Sequence, residues 1–205
     1  MLKVKIAVFI SGNGTNLQAL IDSEKDGVLE TGEIALVVSN NSEAYGIKRA
    51  EDNGIPCEII KRGEYENHAA FEEAIRDALR RYEIDIIVLA GYMAILSPEF
   101  IDSYPRRIIN IHPSLIPSFC GKGYYGIHVH EAALKYGVKV TGATVHYVNE
   151  IPDGGEIILQ KAVEVEPEDN ALSLQQRVMR EAEWIILPQA AEYVCRQYLK
   201  SMCKQ

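Results

Sequence analysis

Two polar side chains that could take part in proton transfer lie two residues apart in the apolar segment Ile-Ile-Asn-Ile-His-Pro-Ser at 108–114. Positions i and i+2 of a strand point to the same face, so we expect Asn110 and His112 to lie side by side. The amide can donate and accept hydrogen bonds, and the imidazole titrates near neutral pH. Such a pair could serve acid-base chemistry, or it could only satisfy backbone groups at a strand end.

A loop with two glycines, Ser-Gly-Asn-Gly-Thr-Asn at 11–16, lies between a strand pattern and a helix pattern. Backbone N–H groups at such a helix start can bind an anion. A dinucleotide site would need a third glycine where this chain has Leu17, and a carboxylate where it has Ser39-Asn40-Asn41. The loop therefore favours a site for a single phosphate, and a turn whose glycines serve only packing is the alternative.

A carboxylate at a sharp turn, in Asp153-Gly154-Gly155, is a further candidate. Turn chemistry alone explains Asp before Gly, but Asp153 could also fold back toward His112 and orient it or exchange a proton with it. His146 could belong to the same cluster, although we favour a structural role for it. No short ligand spacing supports a metal site made from His112, His146 and Asp153, so no metal is expected.

Apolar runs that alternate with helix patterns predict the elements that position these side chains. The predicted strands are 4–10, 34–39, 57–60, 86–90 and 108–112, followed by two strands near 138–148 and 157–165. This order predicts an α/β fold: a Rossmann-like, mainly parallel sheet with helices on both faces and an antiparallel strand addition near the C-terminal end. Ligands bind outside the carboxyl ends of such strands, so the loops 11–16, 91–96 and 112–126 should share one edge.

Two local signals concern helices. Thr15 and Gln18 have the spacing of a capping box, which predicts a helix start near Asn16. A long helical segment is predicted to begin near Ser173, and Pro188 should kink or divide it.

Composition limits the function classes. The 205 residues predict a single domain over 1–205, and the formal charge of -8 argues against binding nucleic acid through phosphate neutralisation. The four cysteines form no C-x-x-C pair, and no uncharged apolar stretch is long enough to span a bilayer. We therefore expect a soluble, cytoplasmic protein that acts on small-molecule substrates, with no nucleic acid or membrane partner. A homodimer is left open.

Several motifs, in this order along the chain, resemble the phosphoribosylglycinamide formyltransferases of the folate-dependent formyltransferase family. They are Ile-Ser-Gly-Asn-Gly-Thr-Asn-Leu-Gln-Ala at 10–19, Leu-Ala-Gly-Tyr-Met at 89–93, Asn-Ile-His-Pro-Ser-Leu-Ile-Pro-Ser-Phe at 110–119, Gly-Ala-Thr-Val-His-Tyr-Val at 142–148 and Asp-Gly-Gly at 153–155. The resemblance implies a formyltransferase fold and transfer of a formyl group from the co-substrate 10-formyltetrahydrofolate to the glycinamide amine of a ribonucleotide in purine synthesis.

Position by position, the resemblance also implies roles. Asn110, protonated His112 and Asp153 would be catalytic, the first two as oxyanion donors and Asp153 as the group that fixes His112 and relays protons. The residues implied to bind the ribonucleotide are Gly12, Asn13, Gly14, Thr15 and Asn16 for its phosphate and Glu183 for its ribose. Those implied to contact the folate are Met93, Ala94, Ile95, Leu96, Asn149 and Glu150.

The chain departs from the family at Ala94, where an Arg is common, and this departure concerns the folate contact rather than the catalytic residues. The shared Asn-x-His and Asp elements specify formyl chemistry better than the acceptor. A formyltetrahydrofolate hydrolase would be expected to carry an extra amino-terminal domain before the first strand, and a methionyl-tRNA formyltransferase an extra carboxy-terminal domain. A non-catalytic folate- or nucleotide-binding homologue is the alternative from a different class.

Overall fold

The computed structural model describes residues 3–203; residues 1–2 and 204–205, which the predicted 1–205 domain includes, lie outside the described residues. The strands are β1 (Val4–Ile10), β2 (Gly32–Ser39), β3 (Cys57–Ile59), β4 (Ile86–Leu89), β5 (Ile108–His112), β6 (Val140–Tyr147) and β7 (Ile157–Glu164). The α-helices are α1 (Thr15–Lys25), α2 (Tyr45–Asp52), α3 (His68–Arg81), α4 (Pro98–Asp102), α5 (Ile127–Tyr136), α6 (Ala171–Val178) and α7 (Trp184–Met202).

The seven strands form one sheet in the order β3-β2-β1-β4-β5-β6-β7. The pairs from β3 to β5 are parallel, and β6 and β7 are added antiparallel. This topology confirms the predicted fold class. In the described range, Lys3 to Cys203, no helix is both long and apolar enough to cross a membrane.

Helices cover both faces of the sheet because its central strands are apolar on both sides. Val8 of β1 packs into one core cluster with side chains of α1, α6 and α7, whereas Phe9 packs into a second cluster with side chains of α3 and α4. Consecutive residues of a strand point to opposite faces, which explains this division. Burying a side chain such as Phe9 stabilises the fold by about 1.5–3 kcal/mol.

The strand register aligns the ends of four neighbouring strands. Phe9 pairs with Leu89, Leu89 with Asn110, and Asn110 with His146. From β1 the chain first adds β2 and β3 on one side of the sheet and then crosses over to add β4 on the other side of β1. This change of direction creates the crevice in which ligands of such sheets bind. The loops after β1, β4 and β5 therefore leave the sheet at one edge, as the sequence predicts.

The capping box predicted at the start of α1 is wrong. Gly14 is the N-cap residue, with a φ of 67°, and no side chain caps the helix. Thr15 is already helical, and the side chain of Gln18 bonds to other side chains instead. A Cβ atom at Gly14 would lie 2.6 Å from the Cα atom of Gly46. A left-handed glycine in close backbone contact therefore makes this turn.

The C-terminal helical segment begins near the predicted position, since Asn170 caps α6 and Ser173 completes a capping box. The predicted break at Pro188 lies earlier, however, at a π-helical turn over Met179–Glu183, and Pro188 lies inside α7. Proline has no N–H, so a carbonyl one turn earlier lacks its helical partner, and the wider turn precedes that point. The division places Glu183 directly before α7.

Candidate active site

β5 and β6 bring two of the polar side chains together. The register pairs Asn110 with His146, and Nδ2 of Asn110 lies 3.1 Å from Nε2 of His146. Nδ1 of His146 lies 2.8 Å from the backbone oxygen of Tyr147. A carbonyl only accepts, so this contact assigns a proton to Nδ1 and leaves Nε2 to accept from Asn110. His146 therefore contacts the cluster and can orient Asn110, in keeping with the structural role favoured from the sequence.

Asp153 reaches the same cluster from the turn between β6 and β7. Its φ of 55° is uncommon for a residue other than glycine. Oδ1 lies 3.5 Å from Nδ2 of Asn110 and 3.6 Å from Nε2 of His146. Oδ2 lies 3.5 Å from Nδ1 of His112. The structure thus brings the three predicted catalytic side chains into one cluster, although Asp153 is 43 residues from Asn110.

The loop after β5 returns to both His112 and Asp153. Nε2 of His112 lies 2.9 Å from the backbone oxygen of Phe119, and the N–H of Gly121 donates to Oδ2 of Asp153 at 2.8 Å. The contact with Phe119 assigns a proton to Nε2, so Nδ1 faces the carboxylate. Phe119 has a φ of 47°, and its ring packs edge-on against two tyrosine rings. Backbone strain of this kind is typical of functional sites.

Burial and neighbouring charges set the ionisation of the cluster. Burial lowers the pKa of His112 below its ordinary value, and the attraction of Asp153 offsets this only in part. Burial opposes ionisation of Asp153, but the pKa of this carboxyl still lies below its usual range, because His146 and His112 attract the carboxylate whenever they are protonated and the N–H of Gly121 donates to it in every state. At neutral pH the cluster therefore combines a neutral imidazole with a carboxylate, so that Nδ1 of His112 can accept a proton beside a stabilising negative charge.

The loop between β1 and α1 leaves open space at one position and connects to the C-terminal helices at another. A Cβ atom at Gly12 would meet no atom within 4 Å, and Asn13 is exposed. Nδ2 of Asn16 donates to Oε2 of Glu183 at 2.6 Å, and both residues are buried. Burial raises the pKa of Glu183 to about 6, against the effect of Asn16.

The loop after β4 exposes part of its apolar surface. Met93 and Ile95 are 55% and 76% exposed, Ala94 is half-buried against the core, and Leu96 is buried. The N–H of Met93 donates to Oγ of Ser11 at 2.8 Å, which ties this loop to the loop after β1.

The end of the loop after β4 is anchored on α3. The buried carboxylate of Glu72 accepts the N–H of Ser97 at 2.6 Å and also the hydroxyl of Ser97. Ser97 in turn caps α4, because its hydroxyl accepts the N–H of Phe100. Glu72 therefore fixes the point at which the loop ends.

The turn between β6 and β7 carries the other residues implied to contact folate. Asn149 and Glu150 are exposed, and Oδ1 of Asn149 accepts the N–H of Ile151 at 3.0 Å. Ile151 is itself 59% exposed.

Within residues 3–203, no group of three or more His, Cys, Asp or Glu side chains is arranged to hold a metal ion.

Several contacts in the cluster are made by backbone atoms and cannot be read from residue types. Neither the carbonyl of Phe119 nor the N–H of Gly121 has a side-chain signal in the sequence. His130, for which the sequence indicates no role, is fully buried on α5. Burial, with a smaller effect of His112, lowers its pKa to about 4. The spacing of Glu72 and Ser97 offered no sign that they meet.

The parallel sheet with its antiparallel addition, and the Asn-His-Asp cluster at its edge, define an α/β protein with an acid-base site at the carboxyl ends of its strands. Residues 4–191 match the family described as formyl transferase. Since this match covers most of the chain, the protein belongs to the formyl transferase family. The resemblance read from the motifs is thereby confirmed.

Curated relatives include the phosphoribosylglycinamide formyltransferases of Haemophilus influenzae and Bacillus subtilis. The first is 44% identical over 184 residues, which are 90% of this chain and 84% of the relative. The second is 42% identical over 181 residues, 88% of this chain and 90% of the relative. The human trifunctional purine biosynthetic protein adenosine-3 is 45% identical over 192 residues, but this chain spans only 18% of its length.

Solved structures of such enzymes are also similar to this chain. Glycinamide ribonucleotide transformylase 1 from Symbiobacterium toebii superposes with a TM-score of 0.88 at 38% identity, covering 95% of this chain and 89% of that chain. The phosphoribosylglycinamide formyltransferase from Brucella melitensis gives a TM-score of 0.86 at 41% identity, covering 94% and 96%.

Proposed function

We propose that the protein transfers the formyl group of 10-formyltetrahydrofolate to the glycinamide amine of 5′-phosphoribosylglycinamide, a reaction of purine (IMP) biosynthesis. The observation that carries this proposal is the meeting of Asn110, His112 and Asp153 in one cluster, in a chain of the formyl transferase family. The names of the relatives support the choice of acceptor, since bacterial relatives of similar length are named for the same reaction.

The reaction needs a path for one proton. The amine nitrogen attacks the formyl carbon, the carbonyl oxygen becomes an oxyanion, and the amine becomes an ammonium. Nδ1 of His112 accepts a proton from the ammonium, and Asp153 stabilises the resulting imidazolium. The same proton returns to the leaving nitrogen of the folate as the carbon–nitrogen bond breaks. Because burial lowers the pKa of His112, the imidazolium expected from the resemblance forms during the reaction rather than before it.

Asn110 is suited to stabilise the oxyanion. One N–H of its Nδ2 is held by His146, which fixes the orientation of the amide. The second N–H makes only a long contact, 3.5 Å, with Oδ1 of Asp153, and it can turn to donate to negative charge that develops on the formyl oxygen. A donor whose position is fixed before the reaction stabilises such charge without reorganisation. The imidazolium of His112 would add positive charge near the oxyanion as it forms.

We assign the ribonucleotide to the loop after β1. Gly12, Asn13, Gly14, Thr15 and Asn16 would bind its phosphate, and Glu183 would contact its ribose hydroxyls. The open space beside Gly12 leaves room for a ligand atom, and the free N–H groups at the start of α1 favour an anion. The contact between Asn16 and Glu183 holds two of these assigned residues together.

We assign the formyl donor to the loop after β4 and the turn after β6. The exposed side chains of Met93, Ile95 and Ile151 could pack against the faces of the donor's rings. Ala94 offers no charge to the tail of the folate. Leu96 is buried and anchors the loop to the core. Asn149 and Glu150 would contribute backbone contacts. The single domain, the cytoplasmic location and the absence of nucleic-acid partners stay predictions.

Steady-state assays with the purified protein, both substrates and absorbance detection of the released tetrahydrofolate test the proposal. We expect turnover that requires the ribonucleotide acceptor. Release of the formyl group as formate without acceptor would support a hydrolase, and binding of both ligands without turnover would support a non-catalytic homologue.

A further inference from the structure

The loop after β1 is held from one side by α2 and the residues before it. Three successive carbonyl oxygens of the loop accept hydrogen bonds there. Nδ2 of Asn41 donates to the oxygen of Ser11 at 3.1 Å, and the N–H of Gly46 donates to the oxygen of Gly12 at 3.1 Å. The next oxygen, that of Asn13, accepts from Nε of Arg49 at 2.8 Å.

These contacts determine where the N–H groups of the loop point. In a trans peptide the carbonyl and the following N–H point in opposite directions. The carbonyls of residues 11–13 point to α2, so the N–H groups of Gly12, Asn13 and Gly14 point away from it. Among the contacts of residues 3–203, none of these three N–H groups donates a hydrogen bond. They are therefore free to bind an anion on the side away from α2.

Arg49 places a positive charge beside this loop. The loop itself, Ser11 to Leu17, contains no charged side chain, although a phosphate monoester carries up to two negative charges. Nη1 of Arg49 bonds the neutral amide oxygen of Gln18, and the guanidinium lies 5.1 Å from the centre of the ring of Tyr45. Between Lys3 and Cys203, no carboxylate forms an ion pair with Arg49. Its charge is thus not neutralised beside the loop.

We infer that Arg49 is a positioning residue for the phosphate of the ribonucleotide: its bond to the carbonyl of Asn13 orients the loop, and its charge, which no carboxylate of residues 3–203 neutralises, favours the dianion from across the loop. The inference rests on the phosphate site proposed above. No sequence pattern indicates this contact, because 36 positions separate Arg49 from Asn13.

The test compares Arg49→Gln with Lys48→Gln. Lys48 is the preceding residue of α2, is exposed, and pairs with Asp52, so its substitution removes the same charge without touching the loop. We expect Arg49→Gln to raise KM for the ribonucleotide by at least about tenfold, with kcat and KM for the formyl donor changed little. Lys48→Gln should match the unmodified protein. Equal ribonucleotide KM values in the two variants would overturn the inference.

Inorganic phosphate separates this inference from the proposed function, because its binding needs no turnover. In calorimetric titration with phosphate, we expect Arg49→Gln to weaken binding by at least about tenfold and Arg49→Lys to restore part of the loss, since lysine keeps the charge but loses the fork geometry. A protein that transfers no formyl group but shows this pattern would refute the proposed function and keep the role of Arg49. Unchanged phosphate affinity in Arg49→Gln would refute the role of Arg49.

Discussion

Nε2 of His112 lies 2.9 Å from the backbone oxygen of Phe119, and this contact fixes which ring nitrogen is free for chemistry. The carbonyl holds a proton on Nε2, so Nδ1, on the other side of the ring, faces Asp153. A second contact, from the N–H of Gly121 to Asp153, uses the same loop to hold the carboxylate. The loop after β5 therefore orients both members of the proposed proton path.

The pH dependence of kcat tests this assignment. Nδ1 must be unprotonated to accept the proton, and burial lowers the pKa of His112 below 6.5. We therefore expect kcat to be constant from about pH 7 to 8 and to fall as pH decreases through an apparent pKa below 6.5. Circular dichroism at each pH controls for unfolding. A kcat that rises as pH falls through this range would contradict a neutral His112.

The open space beside Gly12 gives a second prediction. Gly12→Val should fold, because a Cβ atom there meets nothing within 4 Å and the backbone is not in the left-handed region. The new side chain would occupy the space assigned to the phosphate, so KM for the ribonucleotide should rise about tenfold or more, with a much smaller change for the formyl donor. Gly63→Val, at an equally open glycine in the 3₁₀ turn between β3 and α3, is the matched control. A larger effect on the donor would count against the assignment.

Burial of Glu183 should cost stability. Its pKa is raised from 4.5 to about 6, so the folded state resists ionisation that the unfolded chain undergoes freely. Stability should therefore fall by about 2 kcal/mol as pH rises from below 4.5 to above 6. Glu183→Gln should remove this loss and raise stability above pH 6 while weakening ribonucleotide binding. Urea unfolding at several pH values measures the free energy of unfolding of each variant, and Glu181→Gln, at an exposed position, is the control. An unchanged pH dependence in Glu183→Gln would argue that the carboxyl ionises freely.

Glu72 should affect binding of the formyl donor through the loop after β4, without contacting the donor itself. Its carboxylate accepts two hydrogen bonds from Ser97, at the end of the loop that carries Met93 and Ile95. Glu72→Gln turns one acceptor into a donor, so we expect KM for the formyl donor to rise about tenfold and stability to fall by about 1–3 kcal/mol. Ser97→Ala should raise the donor KM in the same direction. The neighbouring, exposed Glu73→Gln is the control, and unchanged donor KM values in both test variants would exclude this support.

The sequence predicts what depends on local pattern. Apolar runs locate the strands, and the alternation of a strand places Asn110 and His112 on one face. The shared edge of the three loops follows from the order of strands and helices. The position of Asp153 beside His112 could be predicted only from the family resemblance, since Asp before Gly is common in turns.

The remaining features depend on contacts between distant segments. The prediction of a capping box at Thr15 is wrong because Gly14 packs against Gly46, a contact that no local pattern reveals. The π-helical turn before Glu183 depends on how the C-terminal helices pack, and the contact between His112 and Phe119 uses a backbone atom present in every residue. Arg49 was missed for a similar reason, since its partner is also a carbonyl.

The most direct test of the central claim is the turnover number of Asp153→Asn, measured with both substrates at saturation and with the fold checked by circular dichroism. Asparagine keeps the shape but cannot stabilise an imidazolium at His112 by charge. We expect kcat to fall by about 10²–10⁴-fold, with a similar fall for His112→Ala and KM values for both substrates within a few-fold of those of the unmodified protein. A kcat near that of the unmodified protein in both variants would contradict the proposed proton path.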